Sequence, residues 1–462
     1  MHTDDESVDL VVAGAGGGLA GALRAARAGL DVIVVEAAET FRRGNNTAMS
    51  TAMIPGAGTR WQHEAGLADS PAVFRADIDA KTHGQADPVL ATALAEYSAP
   101  LVTWLADDLG LPLELATDIS YPGHSVARCH TVPSRTGAEL LDRLVSLARA
   151  HPNIDFLAPA RLVGARTDET GVRAAVVEYP DGTDEEIPTR ALLLATNGYG
   201  ADRAMVERLM PEIAGAVYHG GENSRGDAVR IGTELGAATG YLDAYQGHAA
   251  LARGAGTLVG WATVMHGGVL VNTEGARFGD ETVGYSEYAA TLAAQPGGTG
   301  WLVFDQRVHD LCTSFGDFRA TVEQGVVLRA ADAAELAERC GLPAAALERT
   351  LADAARHAAE GSADVFGRTA WEAPLRPPYL AVRVEPALFH TQGGLVVDGD
   401  ARVLREDATP IPGLYASGGA AIGISGHSAG GYLAGNGLLP ALGLAALAAD
   451  HCGATARARS TS

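Results

Sequence analysis

The sequence predicts an α/β protein built on a parallel sheet, with a second, smaller domain inserted into it. Three observations carry this expectation. Val8 to Ala13 is a β-branched, largely apolar run that breaks at once into Gly14-Ala-Gly-Gly-Gly18, and a helical stretch and a second run, Asp31-Val-Ile-Val-Val-Glu36, follow. The same strand-then-glycine pattern returns far downstream, at Ala191-Leu-Leu-Leu-Ala-Thr-Asn-Gly198 and at Gly413-Leu-Tyr-Ala-Ser-Gly-Gly419. Between 226 and 371 the pattern is diluted by helical stretches such as Ala330 to Cys340 and Ala344 to Ala359. The expected division is a sheet domain split into 1–225 and 373–462, with a capping domain at 226–372.

Each element follows from its local chemistry. After the first strand, Ala20 to Ala28 is rich in alanine, the strongest helix former, and Gly29 is placed to close the helix. Glu36 ends the second strand about twenty residues beyond the glycine turn, the spacing at which an acid accepts from a ribose hydroxyl of a dinucleotide. Gly14, Gly16 and Gly17 let the backbone turn tightly and approach a pyrophosphate, and the helix N-terminus behind them offers N–H groups. The third glycine of the usual fingerprint is absent: Leu19 stands there, flanked by Gly18 and Gly21, which predicts a shifted helix contact. Pro88 to Gly110 and Gly137 to Ala150 read as amphipathic helices. Gly164 to Asp168 and Val172 to Tyr179 read as hairpin strands, with Asp181-Gly182 as the clearest turn.

Composition excludes several classes. With 34 Lys and Arg against 56 Asp and Glu the net charge is -22, a field that repels nucleic acid and anionic membrane surfaces. Hydrophobic residues at 47% supply a large core, so disorder is excluded. The four cysteines (Cys129, Cys312, Cys340, Cys452) are scattered, without C-x-x-C pairs or histidines at metal spacing, so neither a disulfide framework nor a metal site is indicated. The acidic start, Met1-His-Thr-Asp-Asp-Glu6, does not resemble a secretory leader. The apolar stretch Gly437 to Ala449, broken by Pro440, is expected to be too short to span a bilayer. A cytoplasmic protein without integral membrane association is the expectation.

Four blocks together resemble the flavoprotein class of fumarate reductases, succinate dehydrogenases and 3-ketosteroid dehydrogenases. They are the glycine-rich start with Glu36 and Gly44-Asn-Asn-Thr47; Leu193-Leu-Ala-Thr-Asn-Gly198; Leu270-Val-Asn-Thr-Glu-Gly-Ala-Arg-Phe-Gly-Asp-Glu281; and Gly413-Leu-Tyr-Ala-Ser-Gly418 with its glycine-rich sequel. The resemblance implies a Rossmann-like FAD domain assembled from both ends of the chain, a capping domain between them, and an active site in the cleft. It implies FAD contacts from Gly14, Gly16, Gly17, Glu36, Asn46, Thr47, Ala195, Thr196, Gly198 and Gly418. Asn436 and Leu438 would begin a helix whose N-terminus faces the flavin pyrimidine, where the reduced ring carries negative charge. Non-covalent FAD is expected, because the early glycine-rich segment lacks the histidine to which covalent members attach it.

The resemblance also marks the catalytic positions. Fumarate reductases of this class hold a dicarboxylate with two histidines and two arginines. The histidines have counterparts in His248 (Tyr245-Gln-Gly-His248) and His390 (Phe389-His-Thr-Gln-Gly-Gly394), whereas the arginine positions read Thr282-Val-Gly-Tyr285 and Gly431-Tyr432. Arginine grips carboxylates bidentately, so its loss at both places argues against a dicarboxylate. The 3-ketosteroid Δ1-dehydrogenases place tyrosines at these positions, one as base and one to polarise the ketone. By that resemblance Tyr285 is the expected base, Tyr432 the carbonyl donor, Tyr121 a residue assisting proton transfer, and His248 and His390 orient the substrate. The expected reaction is FAD-dependent α,β-desaturation of a cyclic or steroid-like ketone, with an electron acceptor that the sequence does not identify. Two alternatives stand beside it: a reductase of an enoate or enone, and a flavin-binding interaction subunit that has lost catalysis.

Overall fold

A computed structural model describes residues 7–118 and 123–460. The chain forms two compact units. One comprises Met1–Met210, Gly220–Tyr245 and His390–Ser462, and the other Pro211–His219 and Gln246–Phe389. The second unit therefore takes in an early piece, 211–219, that the expected 226–372 leaves out, while its main piece, 246–389, begins and ends later than expected. The helix Asp227–Glu234 belongs with the first unit because it packs on Gly394–Leu395, where a Cβ on Gly232 would come within 2.5 Å of Leu395. Residues 373–389 belong with the second because Tyr379–Thr391 is the strand around which its sheet is organised.

In the first unit, β1 (Leu10–Ala13), α1 (Gly18–Arg27), β2 (Val32–Val35), α2 (Pro88–Asp107), β3 (Ile154–Leu157), β4 (Leu192–Leu194), β5 (Arg402–Leu404), β6 (Pro410–Ala416) and α3 (Leu438–Ser460) form the frame. The six strands lie in the order β5-β6-β4-β1-β2-β3, parallel except for β5 against β6. Val11 pairs with Leu192 and Leu192 with Leu414, so the downstream strands complete the sheet that the N-terminus starts. β1 and β4 are wholly buried, as parallel strands covered on both faces must be.

Helix α3 corrects the expectation of a short, broken segment. It runs for 23 residues, with Pro440 in its first turn, where a missing N–H breaks no helical hydrogen bond. By length and composition α2 and the stretch Leu438–Arg459 are each long and apolar enough to cross a membrane, yet 50% and 67% of their apolar windows are buried inside the protein. They act as core helices: α3 packs on both α1 and α2.

Glycine makes the α1–α3 contact possible. A Cβ on Gly17 would lie 2.6 Å from the Ala441 methyl, and one on Gly21 would lie 2.7 Å from the Ala445 carbonyl oxygen. Gly18 sits instead against Val12 and Ala195. The close approach expected of position 19 is thus divided between Gly18 on the sheet side and Gly17 and Gly21 on the helix side, and Leu19 is fully buried.

The second unit is a six-stranded sheet in which Tyr379–Thr391 pairs with Gly300–Asp305, Leu328–Ala330, Val217–Tyr218 and Tyr245–Ala252, and Val269–Val271 extends it beyond Gly300–Asp305. Ala333–Cys340 and Ala344–Glu360, expected from periodicity, are helices.

Candidate active site

The cofactor residues expected from sequence gather at the C-terminal ends of the parallel strands in the first unit, where open α/β sheets bind ligands. Gly14 leaves β1 with φ +114°, and a Cβ there would lie 2.3 Å from the Ala195 carbonyl oxygen at the end of β4, so the turn admits only glycine. Glu36 sits beside this turn, and its two carboxylate oxygens accept N–H groups from Ala15 at 2.9 Å and Ala38 at 3.0 Å. Burial raises the Glu36 carboxyl above its ordinary range, opposed by those N–H groups and that of Ala37. Gly16 faces the segment that carries Asn46 and Thr47, since its missing Cβ would meet the Asn45 and Thr47 side-chain oxygens at 3.1 Å. Asn45 caps the turn by accepting from the Thr47 N–H at 2.8 Å, and Asn46 accepts from the Gly221 N–H.

Three further residues test whether this region suits FAD. Among the described residues, Thr196 Oγ1 beyond β4, Ser417 Oγ beyond β6 and Asn436 Oδ1 before α3 are buried and find no hydrogen-bond partner. Buried polar atoms are otherwise satisfied in folded proteins. A ligand rich in hydroxyl, imide and phosphate groups supplies the partners they lack, and the glycine turn leaves room for a phosphate to approach the backbone. The donor set therefore fits FAD. Gly198 and Gly418 pack tightly beside it: a Cβ on Gly198 would clash with Thr391 Oγ1 at 1.8 Å, and Gly418 adopts φ +59° against Ala441. Leu438 begins α3 and is buried.

Sequence reasoning missed the side chains that hold Asn436. Its Nδ2 donates to Ser425 Oγ at 3.0 Å, and Ser425 donates to Gln392 Oε1, leaving Gln392 Nε2 buried without a partner. Gln392 lies two residues beyond His390 on the same strand-to-turn segment, and that spacing, which puts alternate residues on one face, was the available signal.

In this unit His390 and Tyr432 come together, with ring centroids 6.2 Å apart in an edge-on arrangement. His390 Nδ1 faces the Thr391 carbonyl oxygen at 3.3 Å, which can only accept, so Nδ1 carries the proton and Nε2 keeps its lone pair. A Cβ on Gly437 would lie 3.1 Å from that Nε2, so glycine there keeps the imidazole edge open. Burial lowers the His390 pKa to about 4, and the ring is neutral at pH 7.

In the second unit His248 and Tyr285 come together. Their rings stack at 5.1 Å and 25°, and Phe389 stacks on His248 at 5.5 Å and 17°. Trp261 stands edge-on to His248 at 6.1 Å, and His219 lies against Phe389 at 5.4 Å. The backbone sets this up: the Ala249 N–H donates to the Tyr285 carbonyl at 3.0 Å and the Gly247 N–H to Ser286 Oγ at 3.0 Å, fastening the strand Tyr245–Ala252 to the segment after Gly284. His248 Nδ1 accepts the Ala250 N–H at 3.1 Å, so here Nε2 bears the proton. Burial, with the neighbouring His219 adding to it, lowers the pKa to about 3.

The two histidines are therefore neutral and of opposite tautomer, one presenting an acceptor and the other a donor. The aromatic box of Phe389, Trp261 and His219 went unrecognised in the sequence because its members are distant in the chain. Tyr121 lies outside the described residues. His427 pairs with Asp243 Oδ1 at 2.8 Å on an exposed surface and stands with Tyr241.

Residues 9–438 match a family profile described as FAD binding domain. NADH:fumarate oxidoreductase of Klebsiella pneumoniae (strain 342) is 31% identical over 434 residues, covering 91% of this chain and 45% of that relative, so the chain spans under half of that protein's length. Among solved structures, the open conformation of a flavocytochrome c3 fumarate reductase has a TM-score of 0.83 at 28% identity, over 98% of this chain and 79% of that one. The 3-ketosteroid-delta4-(5alpha)-dehydrogenase from Rhodococcus jostii RHA1, in complex with 4-androstene-3,17-dione, has a TM-score of 0.77 at 27% identity over 97% of both chains.

Proposed function

The chain belongs to the FAD binding domain family, and from that premise we propose that it is an FAD-dependent oxidoreductase that desaturates the α,β-bond of a cyclic or steroid-like ketone. The observation that carries the reading is the pairing of each tyrosine with a neutral histidine at the two positions where arginines would grip a dicarboxylate. Tyr432 stands against His390 and Tyr285 against His248. Residues 282–285 and 431–435 contain no arginine or lysine, and histidines with lowered pKa values add no positive charge at pH 7. Such a set suits a neutral carbonyl compound better than a dianion.

Bound FAD supplies the acceptor for the hydride that leaves the β-carbon. The chain supplies the rest. The Tyr432 hydroxyl donates to the ketone oxygen and so acidifies the α-hydrogen, and Tyr285 removes that hydrogen as a proton. The Nε2–H of His248, in the same aromatic cluster as Tyr285, favours negative charge developing there. His390 Nε2 accepts from a hydroxyl on the substrate. Gly14, Gly16, Gly17, Glu36, Asn46, Thr47, Thr196, Gly418 and Asn436 hold FAD without a covalent link.

A second reading, reduction of an enoate or enone, is favoured by the presence of both histidines and by the fumarate reductases among the relatives. Anaerobic mixing of the FAD-loaded protein with a saturated cyclic 3-ketone separates the two. Bleaching of the oxidised flavin absorbance within the turnover time is the expected result. An unchanged spectrum, together with turnover of the matching enone by reduced protein, would reverse the assignment.

A further inference from the structure

The segment that carries Tyr432 is fastened from behind by a buried charged cluster that the reaction itself does not use. Ala434 lies midway between Tyr432 and Asn436, and its carbonyl oxygen accepts from His124 Nε2 at 2.8 Å. A carbonyl only accepts, so Nε2 holds the proton. On the other side of the ring, His124 Nδ1 faces Arg128 Nη1 at 3.0 Å, and a guanidinium only donates, so Nδ1 offers its lone pair. Two partners of opposite character thus fix His124 as one neutral tautomer. Burial lowers its pKa to about 4, which keeps the ring in that form at neutral pH.

Arg128 is held in turn. It is 1% exposed, bidentate to Asp69 with Nε to Oδ2 at 3.0 Å and Nη2 to Oδ1 at 3.1 Å, and it donates from Nη1 to Asp77 Oδ2 at 2.5 Å. Asp77 Oδ2 also accepts from the Ser125 N–H and hydroxyl at 2.9 Å each. Burial works against the Asp77 carboxylate, but the Ser125 and Arg128 hydrogen bonds outweigh it and hold the pKa below the ordinary value. The Phe74 ring lies under the guanidinium at 4.6 Å and against His124 at 5.9 Å. The thiol of Cys129 points at the same Ala434 oxygen at 3.9 Å. Two carboxylates around one guanidinium make a rigid seat for it, because moving Arg128 would leave buried charge uncompensated.

We propose that His124 is a positioning residue for Tyr432, fixing the Ala434 carbonyl and with it the register of residues 432–436, while Arg128 with Asp69 and Asp77 fixes His124. The inference rests on the catalytic reading of Tyr432 only for its effect on rate; the positioning itself stands on the hydrogen bonds. Such a prop acts on geometry, and misplacement of a reacting group by about 1 Å costs on the order of a hundredfold in rate.

The test uses His124→Leu, which keeps bulk but neither donates nor accepts, and His124→Gln, whose amide can donate to Ala434 and accept from Arg128. Amide hydrogen exchange is followed over 431–437 in the FAD-loaded protein, alongside kcat and KM. In His124→Leu, exchange in this segment is expected to accelerate at least tenfold and kcat to fall by roughly tenfold or more, with KM rising in the same direction as in Tyr432→Phe. His124→Gln is expected to restore both. Unchanged exchange in folded, FAD-loaded His124→Leu would overturn the inference whatever its activity. If exchange accelerates but Tyr432→Phe proves silent in catalysis, the prop stands and the catalytic reading of Tyr432 fails.

Discussion

Tyr432→Phe and Tyr285→Phe are each expected to lower kcat by about a hundredfold or more while the protein remains folded and loaded with FAD. Both exchanges remove one hydroxyl and keep the ring, so the edge-on contact with His390 and the stack on His248 survive. What is lost is the proton-handling atom, and a positioned acid or base contributes about 10²- to 10⁴-fold. The two should differ in character. Without the Tyr432 hydroxyl the ketone is less polarised, so its binding weakens along with turnover. Without the Tyr285 hydroxyl the base is gone and kcat carries most of the loss. Steady-state kinetics with an artificial electron acceptor measures both. If both variants keep at least half of the wild-type rate, the tyrosines are packing residues and the proposed proton transfer through them is wrong.

Glu281→Gln is expected to destabilise the second unit by about 3–5 kcal/mol, the cost of breaking a buried ion pair. Glu281 is fully buried and accepts from Arg368 Nη1 at 2.9 Å, from Arg277 Nε at 2.8 Å and Nη2 at 2.6 Å, and from the Leu270 N–H at 3.0 Å. Arg277 retains Asp364 when Glu281 loses its charge. Among the described residues Arg368 then keeps the carbonyls of Val264, Gly268 and Ala370 and the Trp371 ring at 4.2 Å, and no carboxylate. A fully buried guanidinium without an anion is the source of the loss. Glu281 lies four residues before Tyr285, so this network also seats the segment that presents the proposed base. Urea unfolding of the variant measures the change; a loss below about 1 kcal/mol would mean that the cluster is less dry than its burial indicates.

The sequence made the start of the fold legible because a β-α-β turn is local: Gly14, Glu36 and the strand that separates the helix from the acid are close in the chain, and their spacing alone carries chemistry. The order β5-β6-β4-β1-β2-β3 was legible in part, since the same strand-and-glycine pattern recurs at Gly198 and Gly418. The reason for Gly17 and Gly21 was not, because it lies in Ala441 and Ala445, which only folding brings against α1. The unit boundary was missed for a related reason: nothing local in Asp227–Glu234 says that its partner is Leu395. Pro440 looks like a break in the sequence alone, although in a first turn it costs a helix nothing.

At the candidate site, the sequence pointed to His248, Tyr285, His390 and Tyr432, and the structure brings them together as His248 with Tyr285 and His390 with Tyr432. It could not give their tautomers, which depend on the Ala250 N–H and the Thr391 carbonyl. Nor could it give Gln392, Ser425 and His124, whose significance lies in partners tens to hundreds of residues away.

Whether tyrosine in place of arginine turns this site from dicarboxylates to ketones is decided by the rate at which the anaerobically reduced, FAD-loaded protein is reoxidised by a cyclic enone and, separately, by fumarate. Rapid, saturable reoxidation by the enone and none above background by fumarate is the expected result. Reoxidation by fumarate at a catalytic rate, with the enone inert, would contradict it.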